Sequence, residues 1–104
     1  MFARKVSIHL KPNTLADYSR TFESDVLPML RKQNGFIDEI TLSNPSAPDV
    51  IAISIWENKA AADAYTASAY PSVLKAFARV MDGTPKVDTF GNVATTFHKS
   101  AVAA

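Results

Sequence analysis

Few side chains in this sequence are of types that carry out chemistry at neutral pH. Cysteine is absent, which excludes thiolate nucleophiles, disulfides and cysteine-based metal sites. The two histidines, His9 and His98, lie far apart and lack a neighbouring carboxylate pattern, so no metal site is predicted. Each is expected to be a surface or interface residue. The sequence therefore identifies no catalytic constellation.

Aromatic side chains offer a clearer signal around the only tryptophan, in the stretch SIWENKAAADAYTASAYPSV (54–73). Trp56 ends a predicted strand, and Tyr65 and Tyr70 follow in the helical region beyond it. The end of a strand, where a sheet opens to loops, is a usual place for ligand pockets. A tryptophan there offers a large apolar face and one N–H donor. Two interpretations remain open, a ligand cleft and an ordinary hydrophobic core.

Composition narrows the classes of protein to which the chain can belong. Its 104 residues suffice for one domain, expected to span 1–104 with a frayed tail over about 100–104. The formal net charge is +1 and the basic residues are scattered, which argues against binding to nucleic acid. No apolar run resembles a signal peptide or a membrane span. We therefore expect a cytoplasmic protein that does not bind membranes.

The first half of the chain shows a strand, a helix and a second strand. Alternation predicts the first strand, with one face formed by Val6, Ile8 and Leu10 and the other by Lys5, Ser7 and His9. Asn13 or Thr14 is expected to cap the helix, Pro28 to kink it, and Gly35 to end it in a left-handed conformation. In the second strand the alternation places Phe36, Asp38, Ile40 and Leu42 on one face.

The second half repeats the order. The segment VIAISIW is apolar on both sides, as expected for a strand in the middle of a covered sheet. Asn58 is suited to cap the next helix, and Pro71 to begin another. The segment 85–99 is rich in strand-forming residues, with a bulge or turn at Gly91-Asn92.

This order predicts an α+β fold, a ferredoxin-like βαββαβ unit with a four-stranded antiparallel sheet and helices on one side. Isoleucines 51, 53 and 55 then lie on the face that no helix covers. A second copy packed face to face would cover that patch, so we expect a homodimer.

The chain resembles the dimeric α+β barrel superfamily and, within it, the antibiotic biosynthesis monooxygenase (ABM) family. The resemblance rests on the strand-to-helix passage SIWENK (54–59), on LKP (10–12), and on LPMLR (27–31) leading to Gly35-Phe36. In similar proteins the tryptophan lines a cleft that holds a flat aromatic ligand. The resemblance thus implies a substrate-binding set formed by Trp56, Tyr65, Tyr70, Phe77 and Phe22.

The resemblance also bears on activity. Haem-degrading relatives use a histidine on the helix after the tryptophan and an asparagine on strand one. Here 58–97 contains no histidine, and Val6 occupies the strand-one position, so no haem, and no other cofactor, is expected. The implied activity is cofactor-independent monooxygenation of a small aromatic or quinone-like compound. A non-catalytic ligand-binding domain is the alternative, and a lactone isomerase would need a proton-shuttling residue that the sequence does not reveal.

Overall fold

The computed structural model describes residues 1–96, so His98 and the expected tail lie outside the described residues. The strands are β1 (Phe2–His9), β2 (Phe36–Ser43), β3 (Asp49–Trp56) and β4 (Lys86–Phe90). The helices are α1 (Leu15–Thr21), α2 (Leu27–Arg31), α3 (Lys59–Ser68) and α4 (Tyr70–Phe77), with a π-helical segment (Phe22–Val26) joining α1 to α2. Strand β4 ends just before Gly91-Asn92, where the sequence predicts an interruption, but the described residues beyond it, 93–96, do not resume the strand as the composition of 85–99 suggested.

The four strands form one antiparallel sheet in the order β2-β3-β1-β4, which confirms the ferredoxin-like arrangement. Strand β3 is central, as its apolar character on both faces predicts. The helices cover the face that carries Val6, Ile8 and Trp56, and these side chains belong to the hydrophobic core. No helix in the described part of the chain has the length and apolar character needed to cross a membrane.

The first helical region differs from the expectation in two ways. Neither Asn13 nor Thr14 caps α1 with its side chain: Asn13 has a φ of 62°, and the Thr14 hydroxyl donates to the Lys11 carbonyl at 2.7 Å. The irregularity expected at Pro28 begins earlier, as the π-helical turn in which the Leu27 N–H donates to the Phe22 carbonyl. Since Pro28 has no N–H to continue the α-helical ladder, a widened turn before it is a physically reasonable way to join the two helices.

Strand β2 contains a bulge that the alternation did not reveal. Phe36 pairs with Trp56, whereas Asp38 pairs with the adjacent Ile55, so one extra residue, Ile37, is accommodated between them. The assignment of Phe36 to the same face as Ile40 was therefore wrong. The Phe36 ring instead packs edge-on against Trp56 on the helix side, with ring centres 5.5 Å apart.

Other local signals are confirmed. The Asn58 side chain accepts a hydrogen bond from the Ala61 N–H at 2.9 Å and so caps α3. Pro71 lies in the first turn of α4. Gly35 has a φ of 80°, the left-handed conformation expected after the helical region.

Candidate functional site

Three polar side chains form a row across the sheet on the helix-covered side. Arg4 pairs with Ser54, and Ser54 pairs with Glu39, so the three residues lie on neighbouring strands and point the same way. Adjacent strands are about 4.8 Å apart, which separates the Arg4 and Glu39 backbones by about 10 Å. We call Arg4, Ser54 and Glu39 the polar row.

A cavity lies between this row and the helices, because β3 carries small side chains there. Ala52 and Ser54 stand between the larger Val50 and Trp56 on the helix side of the strand and leave space above the sheet. The cavity has a volume of about 490 Å³, counting the space at its mouth. Its other walls are aromatic and aliphatic side chains of the helices, among them Tyr18, Phe22, Tyr65, Tyr70, Leu74 and Phe77. This mainly apolar lining with a few polar groups is typical of a small-molecule pocket.

Arg4 brings a positive charge into this apolar space. Its residue is only 3% exposed, and its guanidinium carbon lies 4.3 Å from the ring centre of Tyr70 and 5.3 Å from that of Tyr65. Both distances are within the range of cation–π attraction, which compensates part of the cost of removing the charge from water. None of the ion pairs within residues 1–96 includes Arg4.

Glu39 brings a carboxyl group to the opposite end of the row. Burial raises its pKa from 4.5 to about 7, and the neighbouring Asp38 acts in the same direction, whereas a hydrogen bond from Thr41 acts against it. The Thr41 hydroxyl lies 2.9 and 3.0 Å from the two carboxyl oxygens. A carboxyl group with a pKa near neutrality is populated in both protonation states, as general acid–base catalysis requires.

The buried tyrosines supply hydrogen-bond donors rather than bases. Burial raises the pKa of Tyr65 to about 12, against the effect of Arg4, and raises that of Tyr18 well above its ordinary value, with Glu39 adding to the effect. Both phenols therefore keep their protons at neutral pH. Among the lining residues Glu39 is thus the best-suited proton acceptor.

The structure places Trp56 beneath the cavity rather than on its wall. Its exposed fraction is 0%, and its ring is stacked on Tyr65 with the centres 4.9 Å apart. The indole N–H donates to the Ser54 hydroxyl oxygen at 2.9 Å, so it is not available to a ligand. Trp56 contacts Tyr65 and Ser54, both of which line the cavity.

The structure brings the other four aromatic residues of the predicted set to one cavity. Tyr65, Tyr70, Phe77 and Phe22 all line it, and Tyr18, which the sequence did not single out, is stacked on Phe77 with ring centres 4.5 Å apart. That a ligand contacts these rings stays a prediction.

Sequence reasoning missed both charged residues of the polar row. A signal was present for Arg4, since it is in phase with Val6 and Ile8 and so belongs to the buried face of β1. Glu39 gave no such signal. The alternation places Glu39 on the face opposite the apolar Ile40 and Leu42, which predicts exposure to solvent. It becomes part of a cavity only because side chains of the helices form the other walls.

His9 lies on the far side of the sheet from the cavity, as the alternation of β1 predicts. Its Nδ1 is 2.8 Å from Asp49 Oδ1, and its Nε2 is 4.0 Å from Asp82 Oδ2. Over residues 1–96, no three histidine, aspartate or glutamate side chains are grouped closely enough to hold a metal ion. His98 lies outside the described residues.

Comparison with known proteins agrees with this arrangement. Among curated proteins, none matches the sequence. The family model for antibiotic biosynthesis monooxygenase matches residues 1–81, which include three of the four strands, all the helices and the whole polar row. The chain belongs to the ABM family.

Solved structures share the ABM fold at low sequence identity. A protein of unknown function from Nitrosomonas europaea superimposes with a TM-score of 0.77 at 17% identity, covering 93% of both chains. A monooxygenase from Streptomyces coelicolor, in complex with nanaomycin D, superimposes with a TM-score of 0.75 at 17% identity, covering 93% of this chain and 91% of the other. SnoaB, a cofactor-independent oxygenase from Streptomyces nogalater, superimposes with a TM-score of 0.74 at 15% identity, covering 93% of this chain and 97% of SnoaB. At these identities the likeness shows the fold alone.

Proposed function

We propose that the protein is a cofactor-independent monooxygenase that oxidises a small aromatic or quinone-like compound in the cavity above the polar row. The observation that carries this proposal is the placement of Glu39, a carboxyl group with a pKa near 7, in a mainly aromatic and aliphatic pocket. Membership of the ABM family supports it. So does the likeness to two oxygenase structures, one of which is in complex with nanaomycin D.

The mechanism begins with proton removal. The Glu39 carboxylate takes a proton from an acidic C–H or O–H of the bound ring and leaves an electron-rich carbanion or enolate. That anion transfers electrons to dioxygen, and for an activated ring methylene the balanced outcome is CH₂ + O₂ → C=O + H₂O. The protonated Glu39 returns its proton as the water molecule is released. Arg4 and the Tyr65 and Tyr70 hydroxyls provide positive potential where negative charge develops.

The surroundings of the reacting anion matter as much as the base. Tyr65, Tyr70, Phe77 and Phe22 would hold the ring by stacking and edge contacts and keep water away from the anion. Neither step calls for a redox cofactor, because the substrate itself supplies the electrons.

We infer further that two copies associate through the uncovered side of the sheet. On that side Leu42 and Phe90 are 51% and 50% exposed, and Ile40 and Ile53 are only half-buried. Exposed apolar side chains on a sheet face that no helix covers are typical of an interface between subunits.

Oxygen uptake with a panel of anthrones, naphthols and hydroquinones, corrected for spontaneous oxidation, tests the activity. We expect turnover with at least one compound, and a decrease in kcat/KM of about 100-fold or more in Glu39→Gln. The rate in the wild type should rise with pH up to about 7 and then level off, and Glu39→Gln should lack this dependence. Glu23→Gln, at an exposed position in the π-helical segment, is the matched control.

Two outcomes would contradict the proposal. If Glu39→Gln oxidises the substrate as fast as the Glu23→Gln control, Glu39 is not the base. If aromatic compounds bind in the cavity but none consumes oxygen, the alternative of a ligand-binding domain replaces the enzyme.

A further inference from the structure

The Arg4 guanidinium is a buried charge that no carboxylate within residues 1–96 neutralises. It is 3% exposed, lines the cavity, and forms neither an ion pair nor a side-chain hydrogen bond with any described residue. Every fully enclosed side-chain nitrogen or oxygen in the described part of the chain has a hydrogen-bond partner. The guanidinium N–H groups therefore reach the open space of the cavity.

The stacked tyrosine rings contact only the faces of the Arg4 guanidinium. Tyr70 and Tyr65 contact the guanidinium through their ring faces, which leaves the N–H edge of its planar fork unoccupied. Cation–π contacts contribute less than a paired charge does. The remaining donors are thus arranged for an acceptor that no residue within 1–96 supplies.

Ser54 adds a second donor beside Arg4. Its oxygen already accepts the Trp56 N–H, so its own hydrogen is left to donate, and Ser54 is the direct cross-strand partner of Arg4. Two adjacent donors, one of them a permanently charged planar fork, match the two oxygens of a carboxylate. A phenol would not compensate the charge in the same way, because it is neutral at neutral pH.

We propose that the ligand is an aromatic carboxylic acid whose carboxylate binds Arg4 and Ser54. Its ring then extends along the polar row toward Glu39, about 10 Å away along the sheet. This inference names the substrate class of the proposed function and rests on it for the use of the same cavity. Recognition of the carboxylate is nevertheless a binding property that needs no turnover.

Calorimetric titration with 2-naphthoate and 2-naphthamide tests the inference, since the two ligands have the same shape and differ in charge. We expect the wild type to bind the acid about 10-fold or more tightly than the amide. Arg4→Met, which keeps an apolar stem but removes the charge, should abolish this preference. Arg31→Met, at an exposed position on α2, should retain it. Circular dichroism establishes that the variants are folded.

The comparison of acid with amide in the wild type needs no variant, so it remains decisive even if Arg4→Met does not fold. Equal affinities in the wild type, or an undiminished preference in folded Arg4→Met, would overturn the inference. Neither result depends on catalysis. An enzyme that oxidises a neutral naphthol but ignores the carboxylate keeps its proposed function and refutes this inference. A protein that prefers the acid through Arg4 but shows no oxygen uptake supports this inference and refutes the proposed function.

Discussion

At the scale of single residues, Trp56 affects the cavity through the orientation of the Ser54 hydroxyl. The indole N–H holds the serine oxygen as an acceptor, which directs the hydroxyl hydrogen away from the tryptophan. A lone tryptophan at the end of a strand thus supports the polar row from below. Its other contacts, with Tyr65 and Phe36, are those of a core residue.

A double-mutant cycle measures this support. Trp56→Phe keeps most of the apolar volume, so we expect the fold to be retained, while loss of the N–H should weaken binding of 2-naphthoate several-fold. Ser54→Ala should weaken it by a similar factor. If the indole acts through the serine, Trp56→Phe should have little further effect in the Ser54→Ala background. Effects that multiply independently in calorimetric titrations would show that Trp56 does not act through Ser54.

Glu39 makes a second prediction at this scale, on the pH dependence of stability. Its pKa is raised from 4.5 in the unfolded chain to about 7 in the folded protein, so the folded state holds the proton more tightly. The resulting stabilisation is complete below pH 4.5 and is lost as pH rises toward 7. Glu39→Gln should therefore become more stable relative to the wild type across this range.

Urea denaturation of both proteins between pH 4.5 and 8 measures the difference. Glu23→Gln, with its exposed side chain, is expected to follow the wild type. A constant difference between wild type and Glu39→Gln across the whole range would show that burial does not perturb this carboxyl group.

At the scale of the elements, the turn before β2 depends on close contact with α3. A Cβ atom added at Gly35 would lie 2.5 Å from the Ala61 Cβ, and the backbone φ of 80° is itself unfavourable for other residues. Gly83 has a similar φ of 88° but no heavy atom within 4 Å of such a Cβ. Substitution of Gly83 therefore introduces backbone strain alone, whereas substitution of Gly35 introduces both backbone strain and steric overlap.

Gly83→Ala is expected to destabilise the protein by about 1–2 kcal/mol through backbone strain alone. Gly35→Ala should cost at least about 1 kcal/mol more, because α3 must also move away from the turn. Ala61→Gly should recover part of the additional loss when combined with Gly35→Ala, after allowance for its own cost to the helix. Equal losses in the two single variants, measured by urea denaturation, would rule out the overlap.

The elements also show how far the sequence is informative. Strand alternation, the Asn58 cap, Pro71 and the left-handed Gly35 depend on neighbouring residues, so each could be predicted. The bulge at Ile37 and the π-helical turn could not, since a one-residue insertion leaves the local composition unchanged and is fixed by packing against other elements. The role of Glu39 has the same origin, because the other walls of the cavity that it lines come from helices distant in sequence.

At the scale of the whole molecule, the sheet has one covered face and one open face. The open face carries the half-buried Ile51 and Ile53 of β3 together with Ile40, Leu42 and Phe90, whereas Ile55 on the same face is buried. One face of the molecule is therefore specialised for the cavity, and the other is an apolar surface of the kind expected at a subunit interface. A homodimer stays a prediction, and the open face provides direct ways to test it.

Leu42→Lys is the most informative variant for this test. Leu42 is 51% exposed in the isolated chain, so a lysine there should leave the subunit folded while placing an unpaired charge in the proposed interface. Ile53→Lys, at a more central and less exposed position, should have a stronger effect and can also unfold the subunit. Ala67→Lys adds the same charge at an exposed site on α3 and should leave the association of the subunits unchanged.

Sedimentation at micromolar concentration should show a dimer for the wild type and Ala67→Lys, and a folded monomer for Leu42→Lys. A wild type that sediments as a well-folded monomer would mean that the open face tolerates water, and the dimer would then be wrong.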